Sequence, residues 1–445
     1  MKNRPSIPRK VSATAPHTMS ASASTLSIDP LRYVFLFLSL VPIYFYVSSI
    51  NMYAVNFPYL DDYDAILLFL NKFTDAGFGE KIALLFGQHA EHRILHGRII
   101  YVLYHYIFGE VSFVSLIWIG NLQYIGVFAL LVYFIKKALP DMWYAAALIL
   151  SICMFDLSNY ENANFAMAGV SNFGIIFLFL LALYCFSKKS NTAFAVGLLL
   201  QFVTIFSNGN GTIASVFLVA YLAFNKQWRK TIISGVVFVA CVLIYFLTLS
   251  KVPSSGDDTT NLAKMATYFV YLSGGHFGFD FVYTYNLQIG LACLVFFIAI
   301  LLYRPLVLFR KESLLVVCVC GFLVGSMLSI SIFRSDVKDM YHLSHSSRYL
   351  IYPHILLPLM FVFLLIKLDG KNKVRWAVFF PFAILLIVSF RYNTTTAIKG
   401  LEVENKRLRF SKYFYGWNRP EAIAKAKAIE EEACRKGIYC MSSER

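Results

Sequence analysis

The chain has 445 residues, of which 58% are hydrophobic, 17% aromatic and only 15% charged, and its mean hydropathy is +0.62. Soluble domains carry about 25% charged residues, so this composition excludes a soluble enzyme, a disordered protein and a fibrous protein. The formal net charge of +15 indicates cationic loops that set membrane orientation rather than a nucleic-acid partner. The sequence therefore predicts an all-α polytopic membrane protein.

Residues 1–30 are polar, basic and rich in Ser and Ala, which is typical of a disordered cytoplasmic tail. The apolar run 31–50 is too long for the core of a signal peptide and predicts a first membrane span. Further apolar runs make about eleven predicted transmembrane helices within residues 31–390, since each helix needs roughly 20 apolar residues. These runs are 112–135, 143–155, 169–186, 192–206, 212–224, 231–249, 287–303, 314–333, 349–366 and 376–390.

The distribution of Lys and Arg predicts the orientation of the chain. If the N-terminus is cytoplasmic, every inner loop carries Lys or Arg, whereas the outer loops 157–168 and 207–211 carry none. No internal repeat is evident, which disfavours a transporter built from duplicated halves. The predicted extracytoplasmic segments with more polar sequence are the long first loop 51–111, the loops 251–286 and 334–348, and the C-terminal tail 391–445.

The first outer loop opens with Leu60-Asp61-Asp62-Tyr63-Asp64. Three carboxylates beside a low-dielectric boundary are costly unless they are solvated or used in chemistry. Adjacent carboxylates also push their pKa values apart, which leaves one of them ionised as a base. The alternative is a helix cap, in which Asp61 or Asp62 accepts backbone N–H bonds at the start of the following helix. The sequence leaves both interpretations open.

A second polar cluster in this loop contains His89, Glu91, His92 and Arg93. Its spacing does not place metal ligands on one face of a helix, and no further ligand is evident. The sequence therefore predicts no cofactor, and a divalent metal stays open without support. Arg93 and Arg98 are interpreted as anion contacts, because a guanidinium matches a phosphate bidentately. The alternative for Glu91 and Arg93 is a local salt bridge on a surface helix.

The N-terminal span, the long outer loop that opens with an acidic pair and the bundle of further spans resemble the polyprenyl-phosphate-sugar-dependent glycosyltransferases of the C-type fold (GT-C). This superfamily includes the protein O-mannosyltransferases, the aminoarabinose transferases of lipid A and many bacterial O-antigen-modifying glucosyltransferases. Two motifs carry the resemblance, Leu60-Asp61-Asp62-Tyr63-Asp64 and Glu91-His92-Arg93. The resemblance implies that Asp61 is the catalytic base and Asp62 its companion.

The resemblance also implies the partners and the location. The donor is a polyprenyl-phosphate-linked sugar, the acceptor is a cell-envelope glycan or lipid, and the reaction takes place on the extracytoplasmic face of a bacterial inner membrane. The loop 334–348 adds cations on that face, and Arg paired with lipid phosphate beside Tyr at headgroup level suits such a donor. Simple interfacial anchoring is the alternative. The predicted substrate-binding residues are Asp64, Glu91, His92, Arg93, Arg334, Arg348 and Tyr349.

The later outer segments support smaller predictions. An interfacial helix is predicted near residues 261–272, and Pro420 is expected to start a helix that runs to about Lys436. Cys434 and Cys440 either form a small disulfide or remain free.

Two other functions compete with sugar transfer. A transporter or flippase of lipid-linked glycans usually carries charges in mid-span, where this chain is almost purely apolar. A polymerase or ligase tends to carry its large functional loop late in the chain, whereas here the long loop comes first.

Overall fold

The computed structural model describes residues 30–250, 261–277, 280–334, 346–410 and 419–441. The predicted tail, apart from Pro30, lies outside the described residues, as do parts of the loops 251–286 and 334–348 and of the tail 391–445. Within the described ranges the chain is helical except for turns and one short hairpin. The prediction of an all-α polytopic membrane protein is confirmed at this level.

The first loop folds into a series of short elements that follow the long helix α1 (Pro30–Tyr53). The elements are a π-helical turn (Tyr63–Leu68), α2 (Phe69–Asp75), α3 (Phe78–Phe86), β1 (Gln88–His89), β2 (His92–Arg93) and α4 (Leu95–Phe108). Strands β1 and β2 pair antiparallel, with Gln88 opposite Arg93 and His89 opposite His92.

The rest of the chain forms the helical bundle and a terminal helix. Its first half comprises α5 (Phe113–Ala138), α6 (Trp143–Met154), α7 (Tyr160–Asn164), α8 (Ala166–Phe186), α9 (Asn191–Ile205), α10 (Asn210–Phe224) and α11 (Trp228–Leu247). Its second half comprises α12 (Leu262–Ser273), α13 (Asp280–Leu302), α14 (Leu314–Arg334), α15 (Ile351–Lys367), α16 (Asn372–Phe410) and α17 (Pro420–Arg435). Short 3₁₀ turns at Pro305–Phe309 and Ser347–Tyr349 precede α14 and α15.

Seven helices in the described part of the chain are long and apolar enough to cross a membrane, namely α1, α5, α8, α11, α14, α15 with its preceding turn, and α16. The apolar helices α6, α9, α10 and the second part of α13 have only 10–17 residues. At 1.5 Å per residue they reach at most about 25 Å, less than the roughly 30 Å hydrocarbon core. Every predicted apolar run lies on a helix, while the count of eleven spans stays a prediction.

The C-terminal region adds three findings. Helix α16 runs from Asn372 to Phe410, so it continues well past the end that the apolar run predicts at residue 390. The predicted terminal helix is confirmed as α17, and Pro420 occupies its first turn. Of the two alternatives for Cys434 and Cys440, the structure has the disulfide.

Helices α5 and α8 pack closely at two glycines. A Cβ on Gly120 would lie 2.8 Å from the carbonyl carbon of Gly169, and a Cβ on Gly169 would lie 2.5 Å from the Asn162 carbonyl oxygen. Small residues allow membrane helices to approach in this way. The approach seats the loop before α8 against α5, where Asn121 donates to the Ala163 carbonyl oxygen at 2.8 Å.

The two ends of the bundle differ in chemistry. At one end, called here the loop end, polar groups far apart in sequence bond directly, as when Asn210 donates to the Tyr352 hydroxyl at 2.7 Å. At the other end, called the basic end, Arg375 pairs with Asp141 and Asp369. The first loop, the loop before α8 and helix α17 all lie at the loop end.

Candidate functional site

Three segments form a small cavity at the loop end, namely the start of the first loop, the region around the start of α8 and the turn before α15. Its volume is about 30 Å³, which is room for about one water molecule. The structure thus brings the predicted catalytic residues next to the predicted phosphate contact. The lining residues are Tyr59, Leu60, Asp61, Asp62, Glu161, Phe165, Met167, Ala168 and Arg348.

The adjacent residues Asp61 and Asp62 have opposite environments. Asp61 is exposed, and its carboxylate makes no hydrogen bond or ion pair with the residues that the structure describes. Asp62 is only 1% exposed, and its two oxygens accept backbone N–H bonds from Met167 at 2.8 Å and from Tyr59 at 3.0 Å. Met167 is the second residue of α8, so Asp62 caps α8 rather than the helix that follows it in sequence.

The electrostatics separate the two carboxyl groups further. Burial raises the pKa of Asp62 to about 7, the hydrogen bonds from Met167 and Tyr59 oppose this shift, and the neighbouring Asp61 adds to it. Just before the pair, Leu60 has a φ of +45°, in the left-handed region that L residues rarely adopt. The backbone is therefore constrained where one side chain turns to solvent and the next turns into the protein.

Glu161 anchors Arg348 to the other side of the cavity. The Glu161 Oε2 atom accepts from the backbone N–H and from the Nε–H of Arg348, each at 3.3 Å, and from the Ser346 hydroxyl at 3.3 Å. The backbone is tied as well, because the Glu161 N–H donates to the Ser347 hydroxyl at 2.9 Å and Asn162 donates to the Arg348 carbonyl oxygen at 3.0 Å. These bonds join the loop before α8 to the turn before α15.

The anchoring leaves part of the Arg348 guanidinium available. Its Nε is bonded to Glu161, while its two terminal nitrogens make no hydrogen bond with the described residues. The side chain is 39% exposed and lines the same cavity as Asp61. A guanidinium held at Nε with its terminal N–H groups free is suited to an anion such as phosphate.

The cluster of His89, Glu91, His92 and Arg93 forms a β-hairpin rather than a helix. Glu91 pairs with Arg334 at the end of α14, at 3.1 Å, so the alternative of a local salt bridge between Glu91 and Arg93 is wrong. Burial, together with smaller effects of His89 and Arg334, lowers the pKa of His92 to about 4. Burial also lowers the pKa of His89, although the nearby Asp61 opposes that shift. The hairpin therefore presents two neutral imidazoles at neutral pH, and His89 is the one near Asp61.

Arg93 and Arg98 hold the end of α3. The Arg93 guanidinium donates to the Phe86 carbonyl oxygen, to the Thr248 carbonyl oxygen at 3.0 Å and to the Thr248 hydroxyl at 2.6 Å. Arg98 donates to carbonyl oxygens of the same helix end, including that of Leu84 at 2.6 Å. Cations are favourable at the C-terminal end of a helix dipole. Both residues thus have a structural role, and their predicted anion contact stays a prediction.

A larger and mostly apolar cavity of about 510 Å³ lies on the far side of the hairpin. It is bounded by α3, α9 and the end of α11, and Arg93 is the ionisable residue among its lining residues. Its walls continue into exposed apolar side chains of α11 such as Ile244. The lining residues are Ala83, Phe86, Gly87, Gln88, Arg93, Phe202, Phe206, Ile244, Thr248 and Ser250.

The remaining predicted residues lie around the cavity without lining it. Asp64 pairs with Lys425 of helix α17 at 2.9 Å, which ties the acidic motif to the C-terminal tail. Tyr349 is half-buried at the end of the 3₁₀ turn and packs against the apolar core.

Sequence reasoning missed the links between segments, above all that of Asp62 to α8 and that of Glu161 to Arg348. The signal that pointed to Glu161 is its place among amide side chains in a short outer loop without Lys or Arg.

No family model, no curated protein and no solved structure matches this chain. The class of the protein therefore follows from its own fold, which is that of an all-α, multi-pass membrane protein. Its candidate site is a cluster of carboxylates and one arginine at the loop end of the bundle.

Proposed function

We propose that the chain is a membrane glycosyltransferase that moves a sugar from a polyprenyl-phosphate donor to a cell-envelope glycan or lipid acceptor. The observation that carries the proposal is that Asp61, Glu161 and Arg348 line the same cavity. Among the described residues, the carboxylate has no partner and the terminal N–H groups of the guanidinium are unbonded, and this transfer needs two such groups side by side. The GT-C resemblance of the acidic motif points to the same reaction.

In this proposal Asp61 is the general base. The acceptor hydroxyl attacks the anomeric carbon of the donor sugar, and the carbon–oxygen bond to the lipid phosphate breaks. The proton of the hydroxyl goes to Asp61, and the bonding electrons leave with the phosphate. Asp61 suits this role because it is exposed and unpaired among the described residues, whereas Asp62 is occupied by two backbone N–H groups.

Arg348 receives the leaving phosphate. Charge develops on the phosphate oxygens as the bond to the sugar breaks, and a positioned guanidinium stabilises that charge. Glu161 fixes the guanidinium through Nε, so little reorganisation is needed during the reaction. Asp62 positions the motif by capping α8.

The proposed location is a bacterial inner membrane, with about eleven spans, the loop end outside and the N-terminus in the cytoplasm. Two arginines of the predicted inner loops lie at the basic end, where Arg304 donates to the Lys367 carbonyl oxygen and Arg375 pairs with Asp141. The positive-inside rule favours a cytoplasmic location for such an end. The disulfide between Cys434 and Cys440 lies at the loop end, and disulfides persist in oxidising compartments outside the cytoplasm.

The test compares three forms of the full chain in a deletion strain. Wild type, Asp61→Asn and the control Asp75→Asn are expressed, and envelope glycans and lipid-linked sugars are measured by mass spectrometry. Asp75 is in the same loop and is exposed, pairing with Lys436, so its variant removes the same charge outside the cavity.

We expect wild type and Asp75→Asn to add a hexose-sized mass to an acceptor. The Asp61→Asn variant should lower the transfer rate by about 10²-fold or more, because general-base catalysis contributes that much. Full transfer by Asp61→Asn would refute the base. An unchanged glycan with accumulating lipid-linked intermediates in the deletion strain would indicate a flippase or polymerase instead.

A further inference from the structure

A second polar cluster is buried in the protein at the loop end. It consists of Asp156, His276 and His354, and each of the three side chains is at most 2% exposed. Each residue offers one nitrogen or oxygen atom, and these three atoms lie within 4.8 Å of one another. Buried ionisable groups are rarely grouped in this way unless they are paired or bind a metal.

Three separate elements supply the cluster. Asp156 follows the end of α6, His276 lies in the turn after α12, and His354 lies in the first turn of α15. The two imidazole rings are 4.5 Å apart between centroids. The cluster therefore joins the loop ends of helices that are otherwise held only by packing and hydrogen bonds.

The hydrogen bonds of His354 assign its tautomer. Its Nδ1 lies 2.5 Å from the Leu350 carbonyl oxygen, and because a carbonyl oxygen only accepts, Nδ1 must carry a proton. Its Nε2 faces the Oδ2 atom of Asp156 at 3.1 Å. In a neutral ring this nitrogen has a lone pair, so a lone pair would face a carboxylate oxygen. A cation shared by both atoms removes the repulsion.

The cation is either a proton or a metal ion, and His276 favours the metal. Its Nδ1 is buried and has no hydrogen-bond partner among the described residues. A proton held between His354 and Asp156 leaves this nitrogen unsatisfied, which is unfavourable in a buried site. A metal ion bound by all three residues satisfies it.

The surroundings match those of known metal sites. Asn393 of α16 donates to the Asp156 Oδ2 atom at 2.7 Å and to the His276 carbonyl oxygen at 3.0 Å, and outer hydrogen bonds of this kind orient metal ligands. A metal-bound histidine commonly donates its other ring N–H to a backbone carbonyl oxygen, as the Nδ1–H of His354 does. The Cys153 Sγ lies 3.8 Å from the His276 Nε2, so the Nδ1 edge of the ring is the one left for a ligand.

We propose that Asp156, His276 and His354 bind one structural zinc(II) ion, His276 through Nδ1. Two imidazoles and a carboxylate suit zinc rather than magnesium or calcium, which prefer oxygen ligands. The three ligands are buried, so no substrate reaches the ion and its role is structural. The ion fixes the start of the loop that carries Glu161, and the proposal does not depend on glycosyl transfer.

The first test measures metal content in the purified full chain. Wild type, His276→Asn, His354→Asn and the control His96→Asn are purified in detergent with zinc chloride, dialysed and analysed by elemental mass spectrometry. His96 is a half-buried histidine outside the cluster, and its ring is hydrogen-bonded to Gln123 at 2.9 Å.

We expect about one zinc per chain in wild type and in His96→Asn, and a loss of most of it in the two cluster variants. Wild type without stoichiometric zinc, or cluster variants that retain it, would overturn the proposal and leave the His354–Asp156 pair joined by a proton.

A second measurement uses wild type alone, so it does not depend on whether a variant folds. Wild type is stripped with a chelator and its unfolding temperature is followed as zinc chloride is added back. A rise of several degrees that saturates near one equivalent supports the site, because a ligand that binds only the folded state stabilises it. The absence of any shift argues against it.

Discussion

Two carboxylate sites at the same end of this bundle have opposite designs. In the cavity, Asp61 is exposed, and the terminal N–H groups of Arg348 have no hydrogen-bond partner in the described part of the chain. In the buried cluster, Asp156 is bonded to Asn393 and faces His354. The difference teaches that a charged group is available for chemistry where solvent or substrate can reach it. Where it is sealed from solvent, the same group joins helices.

The two sites are connected through one short loop. Asp156 begins it, and its Oδ1 atom accepts from the Ser158 N–H at 3.0 Å. The same loop then forms α7, which contains Glu161 and Asn162. A change in the buried cluster is therefore expected to reach the cavity through the position of Glu161. The following predictions test which residues have a structural role and which are available for chemistry, from the largest expected effect to the smallest.

Asp62 lines the cavity but is buried like the residues of the cluster, so it should behave as a structural residue. Asp62→Asn replaces one of its two acceptor oxygens by an N–H donor, and either Met167 or Tyr59 then loses its acceptor. We expect the free energy of unfolding in detergent to fall by about 1–3 kcal/mol. Asp75→Asn is the control, and it should change stability by less than about 0.5 kcal/mol. Equal effects would contradict the structural role.

The stability of wild type relative to Asp62→Asn should also depend on pH. The folded pKa of Asp62 is raised to about 7, above the unfolded value of about 3.9, so the folded state binds this proton more tightly. The resulting stabilisation is fully present below about pH 4 and is lost as the pH rises to about 7. Unfolding measured from pH 4 to 8 should show that decline in wild type relative to Asp62→Asn, and a constant difference above pH 7. Parallel curves throughout would contradict the raised pKa.

Glu161 tests whether the Arg348 guanidinium needs its anchor. Glu161→Gln removes the charge that holds Arg348, and because both side chains are partly exposed, stability should fall by only about 1 kcal/mol. The proposed transfer reaction should show a lower kcat and a smaller change in KM for the lipid-linked donor, because Arg348 acts on charge that develops in the transition state. A variant with wild-type kcat would show that Arg348 is positioned without Glu161.

The smallest effect is expected at the rim of the site. Lys425 of α17 pairs with Asp64, and both side chains are partly exposed. Surface ion pairs contribute little, so Lys425→Ala should lower the free energy of unfolding by about 0.2–1 kcal/mol, and less at high salt. The measurement is unfolding at two salt concentrations, with Lys427→Ala as the matched control on the same helix. A loss well above this range would mean that the tail is more deeply coupled to the first loop.

Much of the fold could be read from the sequence because its signals are local. The apolar runs lie on helices, and Pro420 starts the terminal helix as expected. The hairpin at His89 and Arg93 was not predicted, since its two strands have only two residues each and carry no alternating pattern. The role of Arg93 was not evident either, because its partner Thr248 is distant in sequence.

The candidate site could also be predicted only in part from the sequence. The acidic motif with Asp61 and Asp62 stands out in sequence because three carboxylates follow a long apolar run. That Asp61 is exposed while Asp62 caps α8 follows from a contact with Met167, which lies far along the chain. Sequence reasoning weighed a cap on the following helix, and the structure has a cap on a different one.

The sequence by itself determined that this is a helical membrane protein, because each span must satisfy its own backbone hydrogen bonds and meet lipid with its own apolar residues. That requirement acts on each run separately and is visible in composition. Only the tertiary structure decided which charges meet. Asp156, His276 and His354 come together because α6 and α12 end, and α15 begins, at the same place. Helix packing depends on contacts between distant residues, such as Gly120 with Gly169, and no local pattern records them.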